Sequence, residues 1–227
     1  MLFAALSCLQ GRPLQKAAAE LWALEVDGLQ LTPGCVPNPA VPAVLEAHAI
    51  PTRTHQGFTP LAYRAPVWSK ATELLCQSDS VHPPTTQHAA AFFAAAERGD
   101  LAGVAFETMY PGYTLGNAAD LHRAMTLELD LAVDVSHLFL QLTAGTLDHG
   151  DVRQLCDYEH VVEVHVSAND GSRDQHAPLQ AESYGLGFAR ACLAAGVPVV
   201  LECYLHRLDS AQRATQFALV RDALGAA

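Results

Sequence analysis

The 227-residue chain has no apolar run approaching 18 residues, the length a membrane-spanning helix needs. It has no CxxC pair. Its cysteines (Cys8, Cys35, Cys76, Cys156, Cys192 and Cys203) follow no regular spacing, so no disulfide framework is written in them. Most read as buried thiols, with Cys35, in the turn at 32–35, a candidate reactive thiol. Basic residues are scarce: 13 Lys and Arg stand against 24 Asp and Glu, for a formal charge of −11. That balance disfavours a nucleic-acid partner, whose footprint is normally basic. No low-complexity tract or charge block marks a linker, so residues 1–227 read as a single domain. Half of the residues are apolar, enough for one substantial core. The apolar N-terminus lacks a basic n-region and an A-x-A site, so it reads as a first strand rather than a signal peptide. The expected location is the cytoplasm, with no membrane partner.

What the chain does have is alternation. Strands are expected over 2–8, 29–31, 50–54, 80–82, 103–106, 129–135, 161–166 and 197–203. Helices are expected over 13–26, 41–49, 86–98, 118–126, 148–158, 182–195 and 210–224, with another beginning near Val67. Asn117 and either Asp209 or Ser210 are expected N-caps. Eight β/α units imply a parallel sheet with helices outside, and eight is the number that closes a barrel. A doubly wound open sheet is the rival. Chemistry-bearing residues follow strands three to eight rather than one switch point, which favours an α/β fold of the compact (β/α)8 TIM-barrel type.

Nine metal-type side chains sit at or just past the ends of these runs: His55, His82, Glu107, Asp134, His137, His165, Asp174, His176 and Glu202. If strand ends share one mouth, all nine converge. Two carboxylates about 5 Å apart repel by roughly 3 kcal/mol at an effective dielectric near 20, so bound divalent cations are the expected remedy. Each piece also has an ordinary reading. Asp134 and His137 can be a surface carboxylate and a capping imidazole. Glu107 and Glu202, each after three apolar residues, can be ion-paired, Glu202 with Arg207. His165 can be a core histidine bonded to backbone, and Asp174 and His176 simply loop polarity.

The order of these residues nevertheless resembles the xylose isomerase-like TIM-barrel superfamily, which includes the endonuclease IV-type apurinic (AP) endonuclease family. The segments Phe106-Glu107-Thr108-Met109-Tyr110, Asp134-Val135-Ser136-His137, His165-Val166-Ser167-Ala168-Asn169-Asp170, Arg173-Asp174-Gln175-His176 and Val200-Leu201-Glu202 carry the resemblance. It implies a divalent ion (Zn, Mn, Co or Fe) held by Glu107, Asp134, His165 and Glu202, with Glu107 and Glu202 as the acid/base pair of an isomerase or epimerase. In the endonuclease branch all nine positions match ligands of a trinuclear zinc site, so one to three ions are implied. A further branch modifies peptides with two or three irons. The chain departs from the endonucleases in being short and acidic, in lacking Asn-Asp-Ser after His165, and in following Leu179 with Gln180-Ala181-Glu182 instead of a glycine-rich stretch.

The expectation that results is isomerisation or epimerisation of a small sugar-like carbonyl substrate by glutamate-mediated proton transfer. Arg173 is the expected substrate contact, and a homo-oligomer is compatible. A multinuclear zinc phosphoesterase and an iron-dependent peptide-modifying enzyme are the alternatives, and metal count and oxygen dependence separate them.

Overall fold

Most strands follow from β-branched and aliphatic runs that are buried on both faces, as parallel strands under helices are; the Thr52–Thr54 strand is polar and only partly buried. In the computed structural model, which describes residues 1–62, 65–70 and 73–226, eight strands lie in one parallel sheet. They are β1 (Leu2–Ala5), β2 (Gly28–Leu31), β3 (Thr52–Thr54), β4 (Ser80–Val81), β5 (Ala105–Glu107), β6 (Leu131–Asp134), β7 (Val161–Val166) and β8 (Val199–Leu201). The spatial order is β3-β2-β1-β8-β7-β6-β5-β4. The two ends meet through a parallel bridge between His55 and Ser80, so the sheet closes on itself. Around it run α1 (Leu14–Trp22), α2 (Val41–Ala47), α3 (Ala89–Glu97), α4 (Ala118–Thr126), α5 (Val135–Ala144), α6 (His149–Cys156), α7 (Leu186–Ala194) and α8 (Ser210–Leu224). This is the (β/α)8 barrel. Among the described residues no helix is long and apolar enough to cross a membrane.

The seam between β3 and β4 is the weakest join. The Gln56 amide donates to Ser80 O at 3.0 Å. The Thr54 amide and hydroxyl reinforce it, both donating to Asp79 Oδ2 (2.6 and 2.9 Å). Among the described residues the helix expected from Val67 is not formed. Trp68–Ser69 and Glu73–Leu74 pair antiparallel instead. Aromatic packing decides this: the Trp68 ring stacks on Phe106 and meets Phe92 edge-on.

A second departure falls at β6. The strand expected through Val135 stops at Asp134, and an unanticipated helix, α5, starts at the next residue. Asp134 is its N-cap, with Oδ1 accepting from the Ser136 and His137 amides (2.6 and 3.0 Å). Gly145, with φ of +69°, ends it. The expected caps Asn117 and Asp209 accept from the Asp120 and Gln212 amides.

Along β7 the period-two alternation sends Val162, Val164 and Val166 one way and Glu163 and His165 the other. His165 lies level with Asp134 on β6 and Val200 on β8, and Glu163 level with Ala132. The barrel interior beneath the mouth is therefore polar, holding Gln30, Ser80, Glu163 and His165, all essentially inaccessible. All six cysteines are free; Cys8, Cys35 and Cys203 are buried, Cys76 and Cys192 partly so, and Cys156 is exposed. Cys35 is not a reactive thiol, since burial pushes it up to about 11.

Candidate metal centre

Each ligand-type residue reaches the mouth by a local device. Glu107 ends β5 and Asp134 ends β6. Because Asp134 is followed at once by α5, residue N3 of that helix, His137, comes back beside it, with His137 Nδ1 3.6 Å from Asp134 Oδ2. His55 and His82 follow β3 and β4. His82 is fixed through its backbone: its amide donates to Gln56 Oε1 (2.8 Å), and the Trp68 indole donates to its carbonyl (3.0 Å). Asp174 and His176 ride on a loop pinned by mutual bonds between Ala168 and Ala177 and by the Tyr204 amide donating to His176 O (2.7 Å). His176 has φ of +44°, a left-handed conformation that histidine tolerates better than most residues, and its ring stacks on Tyr204.

Two compact ligand groups result, and Glu107 belongs to both. In the first, ligand atoms of Glu107, Asp134, His165 and Glu202 all lie within 4.8 Å of one another. His165 Nδ1 is 3.6 Å from Glu107 Oε2 and 3.5 Å from Glu202 Oε2. In the second, Glu107 Oε2 is 3.0 Å from His82 Nε2 and 3.3 Å from His55 Nε2, with the two histidine nitrogens 3.2 Å apart. The remaining three gather around Asp174 Oδ2, which is 3.5 Å from His137 Nε2 and 3.0 Å from His176 Nε2. All nine residues inferred from the sequence are thus neighbours. Arg173 is not: it is exposed and does not line the cavity. Glu202 meets His165, not Arg207. Asp134 is a cap, as the ordinary reading had it, but a buried one with its second oxygen free.

Six buried atoms here have no hydrogen-bond partner: Glu107 Oε2, Asp134 Oδ2, His137 Nε2, His165 Nδ1, Asp174 Oδ1 and His176 Nδ1. Their close approaches lack hydrogen-bond geometry. At about 1–3 kcal/mol each, six such atoms would cost on the order of 10 kcal/mol, comparable to the whole stability of a typical domain. Cations at this position would satisfy carboxylate and imidazole lone pairs together, so the donor set fits divalent metal. It is all nitrogen and oxygen, the chemistry of zinc, manganese, cobalt or iron rather than of thiolate sites.

The electrostatics agree. Burial pushes His55 down to about 3, leaving a neutral imidazole. Burial also works against a charged His165, but Glu202 and Glu107 hold it well above the usual range. Burial resists ionisation of Glu107, yet the His82 and His165 charges and the adjoining His137 ring keep it well below its ordinary value. For Glu202 burial wins, and the carboxyl rises to about 7. Without metal the site balances carboxylates by protonating imidazoles.

A third grouping, His55, Glu163 and His165, is geometrically compact but unsuited to an ion. Glu163 already accepts from His165 Nε2 (2.6 Å), Ser80 Oγ (2.5 Å) and Gln30 Nε2 (3.0 Å), and pairs with Arg53. Sequence reasoning missed Glu163 as a site residue. Its signal was available, as a carboxylate two residues before a strand histidine and hence on the same face.

The cavity over the centre is about 300 Å3, and the residues lining it include Gln10, Gln56, Tyr110, Tyr113 and Tyr204 and, among the described residues, no Lys or Arg. A larger cleft of about 470 Å3 lies on the far side of the 168–177 loop, against Phe139 and Tyr184. None of the nine ligand-type residues lines it, so the candidate centre opens into the smaller cavity. No protein-family model matches the chain, and no curated protein matches it.

Proposed function

We propose that this protein is a divalent-metal-dependent enzyme that isomerises or epimerises a small, uncharged, sugar-like carbonyl compound. The observation that carries the reading is geometric: Glu107, Asp134, His165 and Glu202 bring ligand atoms within 4.8 Å of one another beside a small polar cavity. Glu107 Oε2 and Glu202 Oε2 lie 3.6 and 3.5 Å from the same His165 Nδ1, and without metal burial raises the Glu202 carboxyl while neighbouring imidazoles lower that of Glu107. Two carboxyls in one group whose surroundings push them in opposite directions are suited to act as an acid/base pair. Glu107, Asp134, His165 and Glu202 would hold a divalent ion, which would supply Lewis acidity toward a carbonyl. Glu202 then moves the proton on the adjacent carbon, and Glu107 with Asp134 keeps the group anionic. The small cavity, its amide and phenol walls and the lack of cationic residues in its described lining favour a neutral polyol over a phosphate ester or nucleic acid. The resemblance to the xylose isomerase-like superfamily points the same way.

A second reading is favoured by a specific feature. His55, His82 and Glu107 form a two-histidine, one-carboxylate set, the ligand type of oxygen-using non-haem iron enzymes. Metal content and exchange chemistry separate the two. The protein purified without chelator is assayed for bound elements and then incubated in D2O with a panel of aldoses and ketoses. Metal-dependent deuterium incorporation next to a carbonyl supports isomerisation. Visible absorbance with oxygen uptake, and no exchange, supports the iron reading instead. Absence of bound or acquired metal removes both.

A further inference from the structure

Beneath the mouth, the Glu163 carboxylate is fully enclosed in the barrel and joined to four strands. Its Oε1 accepts from His165 Nε2 (β7, 2.6 Å), Ser80 Oγ (β4, 2.5 Å) and Gln30 Nε2 (β2, 3.0 Å), while Oε2 pairs with Arg53 Nε (β3). Ser80 Oγ in turn lies 2.9 Å from His55 Nδ1. The donor and acceptor inventory fixes every proton in this chain. An ionised carboxylate only accepts, so His165 must carry its proton on Nε2 and Ser80 must point its hydroxyl proton at Glu163. The Ser80 oxygen then has only lone pairs left for His55, so His55 must carry its proton on Nδ1. What remains for a metal ion are the two ring nitrogens that face the cluster, Nε2 of His55 and Nδ1 of His165, the latter once it gives up its second proton.

We infer that Glu163 is a positioning residue that sets the tautomer and ring orientation of one histidine in each ligand group, His165 directly and His55 through Ser80. Arg53 keeps it anionic. The inference rests on the metal-centre reading above and adds a residue outside the nine. It accounts for a carboxylate placed where no substrate reaches, and for Ser80 standing at the barrel's weakest seam. Glu163 therefore couples closure of the β3–β4 seam to the geometry of both ligand groups. His137 shows the same logic independently, since its Nδ1 donates to Thr108 O (2.9 Å) and leaves Nε2 bare. Removing an outer partner of a ligating histidine typically weakens metal binding about 10–100-fold.

The test uses the full-length 15N-labelled protein loaded with Zn2+ alone, comparing wild type with Glu163→Ala, Glu163→Gln and Ser80→Ala. Zinc affinity is measured by chelator competition, and the protonated nitrogen of each histidine is read from long-range 1H–15N spectra. In wild type, His165 is expected to show metal on Nδ1 and the proton on Nε2, and His55 the reverse. Glu163→Ala is expected to weaken zinc at both groups about 10–100-fold and to disturb both histidines. Ser80→Ala is expected to disturb His55 and the group it shares with His82 while leaving the His165 pattern intact. Should Glu163→Ala not fold, Glu163→Gln serves, because a single amide oxygen replaces a charge that four donors share. Variants of Glu163 that keep wild-type zinc affinity and both histidine patterns overturn the inference, as does Ser80→Ala disturbing both histidines equally. A wild-type protein that takes up no zinc defeats the metal-centre reading itself, a separate outcome.

Discussion

Glu107 is the one carboxylate common to both compact ligand groups, and its replacement by Gln tests whether they function as a unit. Its Oε2 faces His82, His55 and His165 at 3.0, 3.3 and 3.6 Å. Losing a direct, charged ligand is expected to cost more than losing an outer partner, hence at least about 100-fold in affinity, or about 2.7 kcal/mol, for an ion in either group. Asp134→Asn touches only the four-residue group and retains the helix cap, since Asn caps as well as Asp. The expected pattern is therefore asymmetric: Glu107→Gln depletes both groups, Asp134→Asn one. Elemental analysis after gel filtration, with chelator competition for affinities, reads it directly. The metal-free protein carries a second signature. Removing the Glu107 charge leaves protonated, buried His137 and His165 with one counter-charge fewer. An uncompensated buried charge costs about 3–5 kcal/mol, limited by the ability of the imidazoles to shed protons. At about 2–4 °C per kcal/mol for a chain of this size, Tm in chelator is expected to fall by about 6–20 °C. Full wild-type metal content in Glu107→Gln, or equal depletion by Asp134→Asn in both groups, would refute the shared-ligand geometry.

Further outcomes follow from the same contacts. Burial resists ionisation of Glu163, but its His165 bond, the His165 and Arg53 charges and the Ser80 bond hold its carboxyl at about 2 against 4.5 unfolded. It thus contributes about 3 kcal/mol, fully present above pH 4.5 and lost as pH falls toward 2. Chelator-treated Glu163→Gln should accordingly show a shallower loss of stability across that acid window in denaturant titrations. His165 and His137 are both held protonated well above the ordinary imidazole range, in each case against the effect of burial: His165 by the Glu202 and Glu107 charges, His137 by the Asp134 charge and the adjoining Asp174 and Glu107 carboxylates. Zinc uptake should therefore release protons and strengthen from pH 6 to 8, and calorimetry in buffers of different ionisation enthalpy showing no proton release would contradict this. At Gly185, φ is +80° and a Cβ would lie 2.3 Å from Val135 Cβ, beside the Asp134 cap. Gly185→Ala is expected to cost about 3 kcal/mol or more through overlap and strain, measurable by thermal unfolding. Arg173→Ala is expected to leave zinc affinity unchanged, because the side chain is exposed and outside the cavity.

The barrel was legible because its signals are local and repeated. Three- to six-residue Val, Leu and Ala runs alternate with capped amphipathic stretches, and α4, α8 and β7 fall where Asn117, Asp209 and the Val161–Val166 run indicate. Misreadings occurred where local signals were ambiguous. Val135 to Leu142 is apolar enough for strand or helix, and the arbiter was the Asp134 cap, whose own role as a ligand candidate masked it. The hairpin around Trp68 is decided by Phe92 and Phe106, which lie far along the chain. Arg173, adjacent to Asp174 in sequence, points away from the centre because neighbouring residues of an ordered loop do not share a face.

By itself the sequence determined the strand count, the alternation that demands a parallel barrel, and the identity of nine ligand-type residues, because period, capping and residue chemistry are properties of short segments. Only the tertiary structure decided how those residues divide: that Glu107 is shared by two groups, that Glu202 rather than Glu107 sits near neutrality, and that Glu163 belongs beneath the centre and not in it. These depend on distances of 3–4 Å between residues up to 133 positions apart. They also depend on the exclusion of water, which only barrel closure imposes.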